Sequence, residues 1–335
     1  MVKINQVLRH YGMYPYQGEK VTKKVAKVFT GNKHIAVKQS KNSSLPQIFS
    51  MVYQIAKEQN LSSIAPLYIT EEGKPYIEGS HHFYYVVPWF DTKEESSLTS
   101  SINPLFGELG YIHQKTSYTR EIDTNQLSEW TENQKKKTKQ NFFQFESWIS
   151  FFESKHYMSP TALLICHSYR MIREVSKLIE YWYDEWLVQI EKEKGMKYAL
   201  CHGNLSPSHF IYTSNGVVFI NWEQAFYGNP SRDMSILLSA IGRQHDAPLD
   251  SLMEGLPIYF KNAGCTKSDM ALLALHLLNL EKFLRDVQRY VNKPNHFIEV
   301  EWIQIFQRHQ FYYENILKIQ EFIKNEHMID DEDLS

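Results

Sequence analysis

Cysteine is scarce in this chain. The three present, Cys166, Cys201 and Cys265, are scattered and odd in number. That excludes a disulfide framework and a cysteine-based zinc site, and it points to a reducing compartment. Small buried apolar roles are what remain for the three. Charge of one sign is missing too. Lysine and arginine total 36 against 38 aspartates and glutamates, a net charge of −2, so neither nucleic acid nor an anionic membrane surface is an expected partner. No apolar run approaches the ~18 residues that span a bilayer. The opening Met-Val-Lys-Ile-Asn-Gln carries no apolar signal region with a cleavage site, so cytoplasmic synthesis is expected. Internal repeats and low-complexity linkers are absent. Ahead of the first lysine-bearing strand, Gln17-Gly18-Glu19 supplies a single glycine, so no glycine-rich loop is there to cradle phosphates.

What is present is an ordinary globular composition, 43% hydrophobic and 22% charged over 335 residues. A chain of that length buries a large core and usually forms two lobes. Its most informative stretch is Cys201-His-Gly-Asn-Leu-Ser-Pro-Ser-His-Phe210, followed by Asn221-Trp-Glu. Apolar runs at 198–201, 210–213 and 217–220 alternate with polar breaks, and Asn215-Gly216 is a strong hairpin turn. The pattern predicts strand, loop, strand, turn, strand, with polar residues at the strand ends, where folds place chemistry.

Around it the chain reads in order. Residues 7–11 suit a short helix, 23–29 and 34–39 a hairpin ending in Ala36-Val37-Lys38. A helix over 45–60 has Pro46 in its first turn and Ile48, Val52 and Ile55 on one face. Short strand-like pieces follow at 63–66, 67–70 and 76–78, then a buried strand over 82–90 and a polar surface loop over 91–101. Helices are expected over 103–115 and 123–157, the latter with a solvated Lys135–Lys139 cluster and a core stripe of Phe142, Phe145, Trp148, Phe151 and Phe152. Ser159-Pro160 starts a helix that should run to Glu193 and stop at Gly195. Phe226-Tyr-Gly-Asn-Pro-Ser-Arg-Asp233 precedes a helix through 236–241, and the remainder is helical, chiefly over 268–291 and 300–324. His113 reads as a structural helix-end residue.

This order resembles the aminoglycoside phosphotransferases and choline kinases, whose pattern is roughly His-Gly-Asp-x-x-x-x-Asn, a hairpin, then Ile-Asp-Trp/Phe-Glu. The resemblance implies an α+β, bilobal, protein-kinase-like fold. Residues 1–90 would form a small β-rich N-lobe with a hinge strand near 84–90, residues 91–325 a helical C-lobe with the catalytic-loop hairpin at 198–223, and 326–335 an acidic tail. Lys38 takes the place of the strand lysine that pairs with nucleotide phosphates. Val87 on the hinge, Asn221 and Glu223 would complete the nucleotide-facing set. His202 and Asp233 would hold the catalytic loop.

The chemistry-bearing positions depart from the family. Asn204 replaces the catalytic base, and an amide is no base near neutral pH. His209 replaces a metal-binding asparagine, and nitrogen suits zinc or copper better than magnesium. Asn221 replaces a metal-binding aspartate and removes a full charge. The family's helix glutamate also lacks a counterpart; Gln47, Gln54 and Glu58 are the candidates in 45–60. No catalytic site is intact, no metal site is expected, and ATP with magnesium would bind weakly at most. Within the superfamily the variant loop is most similar to the spore-coat (CotS/YsxE-type) branch. That implies a pseudokinase made in the mother-cell cytoplasm, deposited in the coat, and partnered by other coat proteins. The alternatives are a small-molecule phosphotransferase with rearranged catalytic residues, using Glu223 for metal, and a metal-independent nucleotide-binding scaffold.

Overall fold

The computed structural model describes residues 2–90 and 98–328. The N-terminal region is built on a five-stranded antiparallel sheet of order β1-β2-β3-β5-β4. Its strands are β1 (Gln17–Lys20), β2 (Val25–Phe29), β3 (His34–Ser40), β4 (Ile77–Glu78) and β5 (Phe83–Pro88). Helix α1 (Val2–Arg9) covers one face, where Val7 and Leu8 pack with Val28, Ile35, Val37 and Val86. Helix α2 (Leu45–Glu58) covers the other, where Leu45 and Phe49 pack with Ala36, Tyr85 and Val87. Central β3 is thus buried on both faces, which is why it reads as a near-continuous apolar run instead of an alternation.

The larger region is helical: α3 (Leu98–Lys115), α4 (Thr124–Glu153), α5 (Pro160–His167), α6 (Tyr169–Glu193), α7 (Pro230–Gly242), α8 (Leu249–Ala263), α9 (Lys267–Leu277), α10 (Glu281–Asn292) and α11 (Glu299–Met328). One core runs through it, with Trp182, Leu237, Phe283, Trp302 and Phe306 fully buried or nearly so. A small sheet sits at its edge, with β7 (Gly195–Cys201) between β6 (Tyr118–Glu121) and β10 (Phe226–Gly228), beside the hairpin β8 (Phe210–Thr213) and β9 (Gly216–Phe219). The architecture is α+β, a small antiparallel sheet region joined to a larger helical one.

Several elements differ from the sequence expectation. The first helix lies at Val2–Arg9, upstream of 7–11. The pieces at 63–66 and 67–70 form no strand; Pro66 lacks an N–H for a ladder. Instead the segment bridges the regions, Phe219 N–H donating to Ser63 O at 2.7 Å, Ala65 N–H to Phe219 O at 3.0 Å and Tyr68 N–H to Val86 O at 2.9 Å. Of the loop expected at 91–101, residues 91–97 lie outside the described residues and 98–101 belong to α3. The helix expected over 159–193 is two helices, broken at Ser168, whose hydroxyl donates to Ile165 O at 2.6 Å and competes with the ladder. It ends on Lys194 in the left-handed conformation (φ 56°), and Gly195 already opens β7. The helix over 268–291 is likewise two, interrupted at 278–280. Of the acidic tail expected at 326–335, residues 326–328 belong to the end of α11, where the buried His327 ring packs edge-on against Trp182 at 5.4 Å. The remainder, 329–335, lies outside the described residues. Cys201 is buried, Cys166 and Cys265 half-buried, and all three thiols are free.

Candidate functional site

The loop after β7 is fixed by one carboxylate. Asp233, fully buried at the start of α7, accepts the His202 N–H at 2.7 Å on Oδ2 and the Gly203 N–H at 2.9 Å on Oδ1. His113 of α3 donates from Nε2 to Oδ2 at 3.3 Å, and its Nδ1 meets the Tyr259 hydroxyl at 3.0 Å. Burial alone would raise the Asp233 pKa; the His113 hydrogen bond and charge, with His202 behind them, outweigh it and hold the carboxyl below its usual range. Gly203 is obligatory here, because at φ 79° an added Cβ would sit 2.1 Å from the Gln224 carbonyl oxygen. The His202 ring donates from Nε2 to Ile220 O at 2.7 Å and accepts the Asn204 N–H on Nδ1 at 3.3 Å. Those partners define the neutral tautomer, and burial lowers the imidazole pKa in the same direction.

The hairpin β8–β9 closes on the pair Thr213↔Gly216, so the turn residues are Ser214 and Asn215, one earlier than Asn215-Gly216. Strand β9 delivers Asn221 in the left-handed region at φ 69°. Asparagine and aspartate are the non-glycine residues that tolerate this conformation best, so an Asn fits the backbone as well as an Asp would.

Between the two regions lies a cleft of about 550 Å³. Ala36, Val87, Ile211 and Ile220 give it apolar walls; Lys38, Asn204, His209, Asn221 and Glu223 supply polar groups. Lys38 is buried and donates from Nζ to Asn221 Oδ1 across the cleft. Burial pulls its ammonium down to about 8, partly offset by the Glu223 charge. Both Glu223 oxygens are engaged: Oε2 accepts the Ser40 hydroxyl at 2.5 Å and Oε1 the Tyr85 hydroxyl at 2.6 Å, while Asn42 Nδ2 donates to the Glu223 carbonyl at 2.6 Å. Tyr85 lies directly opposite Lys38 in the β3–β5 register. His209 donates from Nδ1 to the Asn204 carbonyl, and burial lowers its pKa. The Asn204 side chain is exposed.

The structure therefore brings Lys38, Val87, Asn204, His209, Asn221 and Glu223 to one cleft. His202 and Asp233 lie behind it as loop supports. No acid of α2 faces Lys38: Gln47 is exposed, Gln54 donates to Glu58 at 2.9 Å on the outer face, and the inner face is Leu45, Phe49 and Val52. The countercharge comes from Glu223 instead. Sequence reasoning missed Ser40, Asn42 and Tyr85, which anchor Glu223, and Tyr259 behind His113. Strand β5 is apolar and aromatic throughout and does not single out Tyr85; only the strand register pairs it with Lys38. Glu223 is the one carboxylate among the described residues lining the cleft, and both its oxygens already accept hydroxyls. Magnesium in phosphate sites is held by one or two carboxylates with substrate phosphates and waters, so the lining leaves it no unengaged carboxylate. A buried trio of His113, Cys201 and Asp233 has metal-ligand proximity, but the carboxylate oxygens of Asp233 already accept three N–H groups.

No family model matches the chain, and no curated protein matches it in sequence. In structure it is similar to an aminoglycoside phosphotransferase from Alicyclobacillus acidocaldarius, with a TM-score of 0.72 and 15% identity over 96% of this chain and 95% of that one. It is also similar to the spectinomycin phosphotransferase APH(9)-Ia in its AMP-bound complex, with a TM-score of 0.61 and 13% identity over 94% and 98% of the chains. The amicoumacin kinase hAmiN, in complex with AMP-PNP and Ca²⁺, gives a TM-score of 0.54 and 14% identity over 95% and 93%. The chain has a kinase-like phosphotransferase fold.

Proposed function

We propose that this protein is a pseudokinase: its cleft accepts a nucleotide without metal and performs no phosphoryl transfer. The observation that carries this reading is the state of Glu223. It is the one carboxylate lining the cleft among the described residues, and it is occupied by the Ser40 and Tyr85 hydroxyls while Lys38 bonds to Asn221. Phosphoryl transfer needs metal ions bridging phosphates and a carboxylate to orient the attacking hydroxyl; Asn204, His209 and Asn221 supply neither. Nucleotide binding alone asks for less. A cleft of about 550 Å³ lies within the roughly 300–1,000 Å³ usual for ligand pockets, and Lys38 offers a cation at its floor. Structural relatives solved with AMP and AMP-PNP support an adenine nucleotide as the occupant.

The biological role follows from the loop's likeness to the spore-coat branch: a structural or interaction component made in the mother cell and held among coat proteins. Fractionating spores of the source bacterium tests that part. The chain should appear with the insoluble coat, and recovery in the soluble core would reject it.

Thermal melting with ATP tests the cleft. ATP at ~100 times its dissociation constant should add about 2.7 kcal/mol, equally with and without magnesium, and Lys38→Ala should remove the effect. A shift that appears only with magnesium or manganese would favour the rearranged phosphotransferase. No shift at all would leave a scaffold with no nucleotide.

A further inference from the structure

A second cavity, of about 320 Å³, lies among α7, α9, α10 and α11 and shares no lining residue with the cleft. Beside the hydroxyls of Ser235, Ser239, Tyr312 and Tyr313, its polar wall carries four groups with an N–H to give. Arg243 follows the last turn of α7, His276 lies on α9, Asn279 in the break between α9 and α10, and Lys282 in the first turn of α10. The hydroxyl protons on the same wall are already given. Tyr312 donates to Leu277 O at 2.7 Å, Tyr313 to Asn279 O at 2.9 Å, and Ser235 to Arg232 O at 2.7 Å; Ser239 meets the Tyr312 hydroxyl at 3.1 Å. Asn279 Oδ1 accepts the Glu281 N–H at 2.8 Å, which leaves its amide N–H groups free.

Charge here is equally one-sided. The neighbouring carboxylate, Asp286, is held by His309 at 2.9 Å and Arg289 at 3.5 Å. Among the described residues neither Arg243 nor Lys282 has an ion-pair partner, and His276 has no hydrogen-bond partner. Arg243 has only the Tyr312 ring, 5.4 Å from its guanidinium carbon. Partial burial and the facing guanidiniums of Arg243, Arg285 and Arg308 lower the Lys282 pKa, with Asp286 opposing. Burial, with Arg232 beside it, brings His276 to about 4, so near neutral pH it is an uncharged imidazole with one N–H to give. Unpaired cations crowded around one cavity repel each other until an anion enters. Arg243 and Lys282 both reach solvent, so a ligand has access.

We propose that this cavity binds the phosphate group of a small metabolite, at a second ligand site independent of the cleft. An arginine fork, a lysine ammonium, a neutral histidine N–H and an amide N–H together match the oxygens of a tetrahedral anion.

Inorganic phosphate is the probe. Isothermal titration of the full chain, at constant ionic strength set with chloride, should give one saturable phosphate that survives Lys38→Ala. The double variant Arg243→Ala/Lys282→Ala should weaken it by about tenfold or more. Both side chains reach solvent, and matching circular-dichroism melts of native and variant chains certify the fold. Phosphate affinity unchanged in the double variant overturns the site, as does loss of binding in Lys38→Ala alone. Absence of saturable binding over chloride overturns it too, and acetate binding more tightly than phosphate overturns the phosphate assignment.

Discussion

Asp233 and Glu223 are the two residues whose neighbours decide what this protein can do. Asp233 accepts backbone N–H groups from both His202 and Gly203. Asp233→Asn would turn an amide NH₂ toward one of those donors, so unfolding in urea should show a loss of ~3–5 kcal/mol; a loss below about 1 kcal/mol would mean the loop is held elsewhere. The sign of the pH dependence follows from depressed pKa values. His202, His209, His276 and His327 are all lowered, His276 to about 4. The unfolded chain protonates these groups first, near 6.5, so stability falls as pH drops below ~6.5, with His276 alone accounting for roughly 3 kcal/mol by pH 4. The depressed Asp233 acts lower down: its contribution is present above about 3.8 and is lost as pH falls through its folded value. Urea midpoints should rise slightly between pH 7 and 8, where Lys38, lowered to about 8, starts to lose its proton in the folded chain, and decline steadily from 6.5 to 4. A midpoint unchanged at pH 5 would contradict this. At this scale Asn204, His209 and Asn221 are legible in the sequence as cleft residues, because they stand close together in one short segment. The partners of Glu223 are not, since Ser40 and Tyr85 reach it from strands more than a hundred residues away.

Among elements, α3 and α8 cross closely. Gly110 lies where an added Cβ would be 2.8 Å from Asn262 Cβ and 3.0 Å from the Ala263 nitrogen. Gly110→Ala should therefore push the helices apart and cost about 1–3 kcal/mol in thermal or chemical unfolding, whereas Gly73→Asn, at an open turn with φ 82°, should change stability by a few tenths. Helix periodicity made most helices legible, and Ser159-Pro160 marked a true start, its hydroxyl accepting the Ala162 N–H at 3.1 Å. The breaks at Ser168 and at 278–280 were not legible, because the apolar spacing continues across both. The first is marked only by a serine whose hydroxyl competes with the ladder, and no glycine or proline announces either one.

For the whole molecule, the two-region architecture follows from switching periodicity, five strands with two helices up to residue 88 and mostly helices beyond 98, where strands return at β6 and around the central loop. The cleft between the regions is a product of that architecture, and its dimensions could not be read from sequence. What it contains is a latch: Lys38 to Asn221, and Glu223 to Ser40 and Tyr85, join the sheet region to the loop region. Glu223→Gln should loosen that joint, lowering the thermal midpoint and abolishing the countercharge to Lys38, so its melts should become more sensitive to added ATP than those of the native chain. An unchanged midpoint would show that the latch carries little. The central claim, a kinase-like cleft without phosphoryl transfer, is tested most directly by ATP consumption with magnesium or manganese, compared between the native chain and Lys38→Ala. The two should be indistinguishable from each other and from buffer. Native turnover that Lys38→Ala abolishes would contradict the account.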